Sequence, residues 1–362
     1  MSPEILALSI AALIGVPLVW ATPRRLAWDA LAAWTALVLA LLSPLAAGWA
    51  LGAAVGTPVA MMLGDRWGRQ GLVTLIWGTL LISVLFLARG WTGVLWIGGA
   101  YFTLRNLHVL FDWWLGRMEK PGLRRHLRYQ LVLPLLAVGP IHRIQHFERQ
   151  CDRRRWDTAV FFTGAERALF GVAMAVVLGG WLCSHLEHLM SRISAPWPAF
   201  WRDWLLSAAA WVRLYFTFAG FSGLALGLTL MMGLRLEENF NHPWKARNLI
   251  DFWTRWHITL SQWCRDYVFQ LVAAITRSPL TGLTAAMIAM GLWHETSGYY
   301  VLWSFWQVMG IVATRKIQDW WLRRGIPSLP GKISLVLGPI CVFGWLSLAH
   351  PVLTRVLEFL GA

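Results

Sequence analysis

Charge is scarce in this 362-residue chain, and negative charge is scarcer still, with 18 Asp+Glu against 32 Lys+Arg. Charged residues make up 14% and apolar residues 57%, where an average soluble domain is roughly a quarter charged. That balance, with a mean hydropathy of +0.53, excludes intrinsic disorder, which needs low hydrophobicity. It also argues against the two soluble domains that length alone suggests. One polytopic membrane domain over residues 1–362 fits better. Cysteine lacks pattern: Cys151, Cys183, Cys264 and Cys341 are scattered, with no paired spacing for zinc or a redox motif. Core packing is the expected role of each. No long linker, low-complexity tract, soluble domain or clear internal repeat interrupts the chain. The N-terminus lacks a basic stretch and a small-residue cleavage site, so its first apolar run is expected to be a retained helix.

What is present is positive charge, a net +14. It falls in short clusters between apolar runs: Arg24 and Arg25; Arg66 and Arg69; Arg117 to Arg128; Arg143 to Arg155; Lys245 and Arg247; Arg315, Lys316, Arg323 and Arg324. Nucleic-acid binding needs one continuous basic face, which these clusters do not make. Basic residues in short loops orient a membrane protein and attract anionic lipid. On that rule Arg24 and Arg25 place the N-terminus outside. The 117–128 and 143–155 clusters also suit a cytoplasmic dock for an acidic carrier or nucleotide, and both readings stay open.

A spanning helix needs about 20 mostly apolar residues. The apolar runs predict spans at 4–22, 27–46, 48–64, 71–89, 91–110, 159–182, 204–232 (in one piece or two), 253–275, 278–314 and 333–357. Segment 128–141 is short and carries Pro134, Gly139 and Pro140. It reads as a re-entrant or broken element, tolerated only where protein buries it. The expected fold is all-α and polytopic, with about ten membrane helices.

One polar stretch interrupts this pattern. Residues 234–270 open with Glu237, Glu238, Asn239, Asn241, His242 and Lys245. Trp253, Trp256, Leu260, Trp263 and Tyr267 then recur at helical spacing. His257, Ser261 and Arg265 step by four on another face, and Asp251–Arg255 is spaced for an ion pair. The plain reading is an amphipathic helix on the membrane surface. The functional one is a helix lining a wet cavity, since ionisable residues at membrane depth are costly and mark function.

The second feature is His294 in GLWHETSGYY. The stretch between Arg277 and Arg315 is too short for two full spans of roughly 20 residues each and a turn, so it is expected to enter and return as short or tilted pieces. Along a helix His294 stands about 25 Å from Arg277, deep in the membrane or toward its far side. A satisfied core histidine is the bland alternative. His142 with His146 has metal-compatible spacing, and His185 and His188 flank Glu187, but structural zinc wants four ligands. No metal site is expected, and these four read as solvated loop residues. His108, His126, His242 and His350 carry no separate signal.

The segment DFWTRWHITLSQWCRDYVF followed by GLWHETSGYYVLW closely resembles the membrane-bound O-acyltransferase (MBOAT) family. Its bacterial branch, which modifies alginate or teichoic acid, carries a similar D-F-W-x-R-W-H-x-S-L-S-x-W-x-R-D-Y and a later G-x-W-H-G. FTFAGFSGLALGLTLMMGLRLEENFNHPW is similar to the family's stretch before the first histidine, and AVGPIHRIQHF to its G-P-I-x-R element. Together these signatures cover roughly residues 128–310. The chain departs from the pattern at Thr217 and Gly223, where relatives often have acids, at Glu295, where they have Gly, and at Gln307, where they have a later His.

The resemblance implies helices around a central tunnel in a bacterial cytoplasmic (inner) membrane. It implies transfer of an acetyl or other acyl group from a cytoplasmic thioester such as acetyl-CoA, for O-acetylation of an exported polysaccharide such as alginate. D-alanyl transfer to teichoic acid, and a relay that hands the acyl group to a separate transferase, are the alternatives. No bound cofactor is implied; the thioester is a co-substrate. Implied partners are membrane lipid, an extracytoplasmic acetyltransferase of SGNH-hydrolase type and the polysaccharide synthesis machinery. His294 matches the family histidine usually taken as catalytic, and His257 the first one. Arg255, Ser261, Arg265, Asp251, Trp256 and Trp293 are the expected donor- or substrate-binding residues, although Asp251–Arg255 and Arg265–Asp266 equally suit structural pairs.

Overall fold

The computed structural model describes residues 3–89, 97–136, 138–325 and 331–361. Among these residues every regular element is helical. In order they are α1 (Pro3–Ala21), α2 (Ala27–Leu42), α3 (Pro44–Trp67), α4 (Gln70–Arg89), α5 (Gly99–Trp114), α6 (Leu123–Gln130) and α7 (Ile144–Arg153). α8 (Thr158–Val172) runs through a π-helical stretch, Ala173–Leu182, into α9 (Cys183–Ile193), and α10 spans Ala199–Met231. Then come α11 (Leu249–Trp253), α12 (Ile258–Cys264), a π-helical turn Arg265–Phe269, α13 (Gln270–Thr276), α14 (Pro279–His294), α15 (Gly298–Arg323) and α16 (Gly331–Leu360). Six of these helical stretches are long and apolar enough to cross a membrane: Glu4–Ala21, Pro44–Trp67, Gln70–Ala88, Thr158–Ile193, Ala199–Met231 and Ile333–Leu360. The all-α, multi-pass membrane class read from composition therefore holds.

Several boundaries differ from the sequence expectation. The run at 159–182 extends to Ile193, and 204–232 is a single helix from Ala199. Of the expected span 91–110, residues 91–96 lie outside the described residues, and the remainder begins at Gly99 in α5. The 128–141 segment is broken as its prolines and glycine require, with a short 3₁₀ turn at Leu133–Leu135. The span expected at 253–275 is interrupted between α11 and α12. Local chemistry sets the helix starts. Ser43 and Ser278 accept from the amides of Ala46 and Thr281 at 3.3 and 3.2 Å, each followed by a proline at the first helical position, where its missing N–H costs nothing.

The chain forms two compact units. The first comprises Met1–Ala173 and Gly220–Glu237. Within it α8 crosses the end of α10 on a glycine seam: a Cβ on Gly164 would meet the Gly227 carbonyl at 2.8 Å. Small residues let helix backbones approach closely where apolar burial supplies no drive between helices. The basic loops of this unit fold back onto its acids. Arg124 and Arg128 converge on Asp29 at 2.7 and 2.5 Å, Arg125 on Glu148 at 2.5 Å, and Lys120 on Asp65 at 2.8 Å. Arg154 donates to the Val19 carbonyl and lies 4.6 Å over Trp20.

This unit also corrects the reading of His142 and His146. His108, His126 and His142 are buried, and His146 meets Glu237 at 2.6 Å, so His142 and His146 are not solvated loop residues. His126 has one ring nitrogen 2.7 Å from the Ala54 carbonyl and the other 3.2 Å from Gln130. His108 accepts from the Ile144 amide at 3.1 Å and stands 3.3 Å from Asp112. The Tyr129 hydroxyl donates to the His142 carbonyl at 2.6 Å. The Tyr129 bond satisfies a carbonyl of the broken segment, the His108 bond the first amide of α7, and the His126 bond the Ala54 carbonyl of α3, four residues before Pro58, which has no N–H to offer it. Of the cysteines, Cys183 and Cys264 are buried, Cys151 is half-buried and Cys341 is exposed. Core packing thus fails for Cys341, while burial pushes the Cys151 thiol up, away from the reactive thiolate.

The second unit comprises Met174–Ala219 and Glu238–Ala362. Its spine is the α14–α15 hairpin, in which Ser304 donates to the Met287 carbonyl at 2.9 Å. A Cβ on Gly291 would stand 2.6 Å from the Tyr300 carbonyl. α16 joins through Trp306 and Trp345, stacked at 4.3 Å.

Candidate functional site

The site is built in the second unit from the polar stretch that follows α10. Asn239 is fully buried. Its carbonyl accepts from the Ile258 amide at 2.9 Å, and its side chain accepts from the Thr259 hydroxyl at 2.6 Å. The Asn241 amide donates to the Arg255 carbonyl at 2.9 Å. These bonds pull residues 255–259 out of helical pairing and onto the 239–241 loop. Trp256 closes one last bond to Phe252, and His257 then takes a left-handed conformation, φ 42°. His257 is therefore the residue that starts α12, not one face of a continuous helix. The apolar periodicity survives because Trp253, Trp256, Leu260, Trp263 and Tyr267 are all buried on both sides of the break.

His257 is 2% exposed. Its ring meets the edge of Phe218 at 4.8 Å and the indole of Trp293 at 5.3 Å. Trp293 also lies 4.9 Å from the ring of His294. One indole thus stands against both histidines, which are within electrostatic range of each other. His294 is the last residue of α14. Its ring is exposed, stacks on Tyr300 at 5.6 Å and meets the edge of Trp303 at 5.9 Å. The hairpin turn puts Tyr300 and Trp303 there, one turn into α15. The stretch expected to enter and return folds as a helical hairpin, α14 and α15, of which α15 is the longer and runs on to Arg323.

The remaining expected residues separate into two groups. Asp251 and Arg255 form the i,i+4 ion pair at 2.7 Å, and Asp251 also accepts from the Arg247 amide at 2.9 Å. Trp256 is buried, stacked on Phe252 at 5.5 Å and edge-on to Trp211 at 5.3 Å. These three brace the loop that presents His257. Ser261 and Arg265 instead line a cleft of about 680 Å³ with Trp253, Met290, Arg315 and Lys316. The cleft includes neither histidine. Arg265 pairs with Asp266 at 2.9 Å while remaining 59% exposed. So the structure gathers Trp256, His257, Trp293 and His294 into one aromatic neighbourhood, and places Ser261 and Arg265 on the cleft beside it.

Sequence reasoning missed Phe218, Asn239, Tyr300 and Trp303. The signal for Asn239 was its place in a polar loop beside the histidine helix. The aromatic residues gave none, since they sit in apolar runs where core packing is the default. Gln307 is fully buried in α15, and neither end of its amide has a hydrogen-bond partner among the described residues. Also among the described residues, no group of three or more His, Cys, Asp or Glu could hold a metal ion.

This is a helical membrane protein that holds two histidines against a shared tryptophan. Residues 94–326 match the model of the membrane-bound O-acyltransferase family. The chain belongs to that family. It is 29% identical over 255 residues to the probable alginate O-acetylase AlgI of Pseudomonas aeruginosa, an overlap of 69% of this chain and 48% of that protein. The Pseudomonas fluorescens counterpart is 30% identical over 227 residues, 61% of this chain and 45% of its own length. The teichoic acid D-alanyltransferase of Bacillus subtilis is 25% identical over 239 residues, 62% of this chain and 60% of its own. The chain spans about half the length of the alginate O-acetylases it matches.

Proposed function

We propose that this chain is an acyltransferase of the bacterial inner membrane. It takes an acetyl group from a cytoplasmic thioester such as acetyl-CoA and delivers it to a hydroxyl destined for an exported polysaccharide such as alginate. One observation carries the reading: His257 and His294 stand against the same indole, with His294 exposed at the end of its helix. Acyl transfer to a hydroxyl needs a base for the hydroxyl proton, and histidine titrates in the useful range. His294 takes that proton as the hydroxyl oxygen forms a bond to the thioester carbonyl carbon. The carbon–sulfur bond then breaks, and the thiol leaves carrying the proton. His257 positions the reacting groups. The cleft lined by Ser261, Arg265, Arg315 and Lys316 suits the donor's phosphates, with Trp253 and Met290 as apolar walls for its arm. A tunnel through the molecule would bring donor and acceptor together from opposite faces.

The acceptor is the finer part of the proposal. Relatives named for alginate acetylation and for teichoic acid D-alanylation both support acyl transfer. The alginate relatives favour acetyl, and the proposed partners are an extracytoplasmic acetyltransferase of SGNH-hydrolase type and the polysaccharide synthesis machinery. The test is purified protein in lipid with labelled acetyl-CoA, with and without an added hydroxyl acceptor. Transfer of label to the acceptor, falling about 10²–10⁴-fold in His294→Gln, is the expected result. Full transfer by a correctly inserted His294→Gln variant overturns the role of His294. Label found only on a partner protein makes the chain a relay, and D-alanine accepted in place of acetyl assigns the other branch.

A further inference from the structure

Arg105 belongs to the first unit and takes no part in the proposed chemistry. It sits mid-way along α5 at 0% exposure. All three nitrogens of its guanidinium are buried and have no hydrogen-bond partner among the described residues. Burying a guanidinium unpaired costs several kcal/mol, even after relaxation, so something must answer this charge. The surrounding side chains do not. The Tyr129 and Phe102 rings lie 6.0 and 5.8 Å from the guanidinium carbon, at the outer limit of a cation–π contact. His126 is committed at both nitrogens, to Ala54 and Gln130. The two nearby carboxylates serve other groups: Asp112 meets His108, Gln145 and Arg117, and Glu237 meets His146. A second cation, Arg143, lies in the same cluster.

Three further buried acceptors of the cluster lack a hydrogen-bond partner among the described residues: the side-chain oxygen of Gln130, the Nε2 of His142 and the Oε2 of Glu237, whose other oxygen meets His146. Both ends of the deficit are thus present, five guanidinium N–H donors and three acceptors. Water alone could meet the hydrogen bonds, but it would leave the charge unanswered. We propose that Arg105 is the core of a buried site for one small monovalent anion, a halide or a short carboxylate, accompanied by water that reaches Gln130 and His142. Burial sets the size. Arg105, His126, Tyr129 and Gln130 are all 0% exposed and His142 is 1% exposed, which leaves no opening for a nucleotide, a thioester or a sugar. The anion braces α5 against α6 and the broken 138–143 segment, whose backbone Tyr129 already holds. This site is independent of acyl transfer.

The full chain, purified in detergent, tests it by thermal melting at constant sodium, with gluconate exchanged for chloride, bromide or acetate. The melting temperature of the wild type is expected to rise by roughly 2–4 °C between 1 and 100 mM of the bound anion, and that of Arg105→Met to stay flat. A larger response to chloride and bromide identifies a halide, and a larger response to acetate a carboxylate. Crystals grown in bromide are expected to show an anomalous peak within about 4 Å of the guanidinium, the range of a hydrogen bond to a large anion. A wild type that responds no more to any of these anions than to gluconate overturns the proposal. So does an Arg105→Met variant that responds equally. Should that variant not fold, the wild-type series and the bromide map decide alone.

Discussion

The two units each bury histidine, and they hold it in opposite ways. In the first, His126 is fixed at both ring nitrogens and His108 sits between the Ile144 amide and Asp112. Rings held like this keep one tautomer, and they serve the backbone rather than a reaction. In the second, His294 is exposed at a helix end and stacked on Tyr300, and His257 is gripped by the faces and edges of Phe218 and Trp293. Aromatic contacts fix where a ring sits while leaving its proton chemistry to the surroundings. The same residue type is thus a staple in one unit and a candidate base in the other, and the exposure of His294 beside the shared indole marks the difference.

The sharpest way to break this comparison is to remove one histidine of each kind. His294→Leu is expected to fold and insert normally while acyl transfer drops by the largest factor, about 10²–10⁴. His126→Leu is expected to do the reverse. It strips the Ala54 carbonyl and Gln130 of their partner, a cost of about 1–3 kcal/mol, while transfer per folded molecule is retained. Melting temperature and labelled-acetyl transfer, measured on both variants, read the two effects separately. If His126→Leu abolished transfer at full stability, the division between staple and base would be wrong.

His257 tests the comparison from a different side, because its backbone is as unusual as its ring. At φ 42° the left-handed region admits Asn far more readily than a β-branched residue. His257→Asn is expected to keep the fold and lose transfer, whereas His257→Val loses about 1–2 kcal/mol of stability as well. Equal melting temperatures for the two variants would show that α12 does not depend on this turn.

The sequence made the membrane class legible because composition and run length are enough for it, and the aromatic face from Trp253 to Tyr267 because burial follows spacing. It also carried the Asp251–Arg255 pair, which is local. It hid the break at His257. That break depends on Asn239 and Asn241, 18 and 16 residues before it, competing for backbone bonds, and no periodicity records such a competition. It hid the buried histidines of the first unit for a similar reason. His126 and His142 lie in basic, polar stretches that read as loops until Ala54 and Tyr129 are brought against them. Tyr300 and Trp303 were invisible because an apolar run gives every aromatic the same prior.

The smallest expected effect concerns the positive charge. Arg124 and Arg128 share Asp29, but Arg124 is 60% exposed on its side chain and Arg128 only 23%. Solvent screens an exposed pair to about 0–1 kcal/mol, and Asp29 keeps Arg128 when Arg124 is lost. Arg124→Gln is therefore expected to change the melting temperature hardly at all, and Arg128→Gln to lower it by more, in both cases less as salt is raised. A large loss in Arg124→Gln would mean that the loop arginines hold the first unit together. Unchanged stability with weakened transfer from a carrier-borne donor would mean that the 117–128 cluster docks an acidic partner. Either result separates charge that orients this chain from charge that binds something.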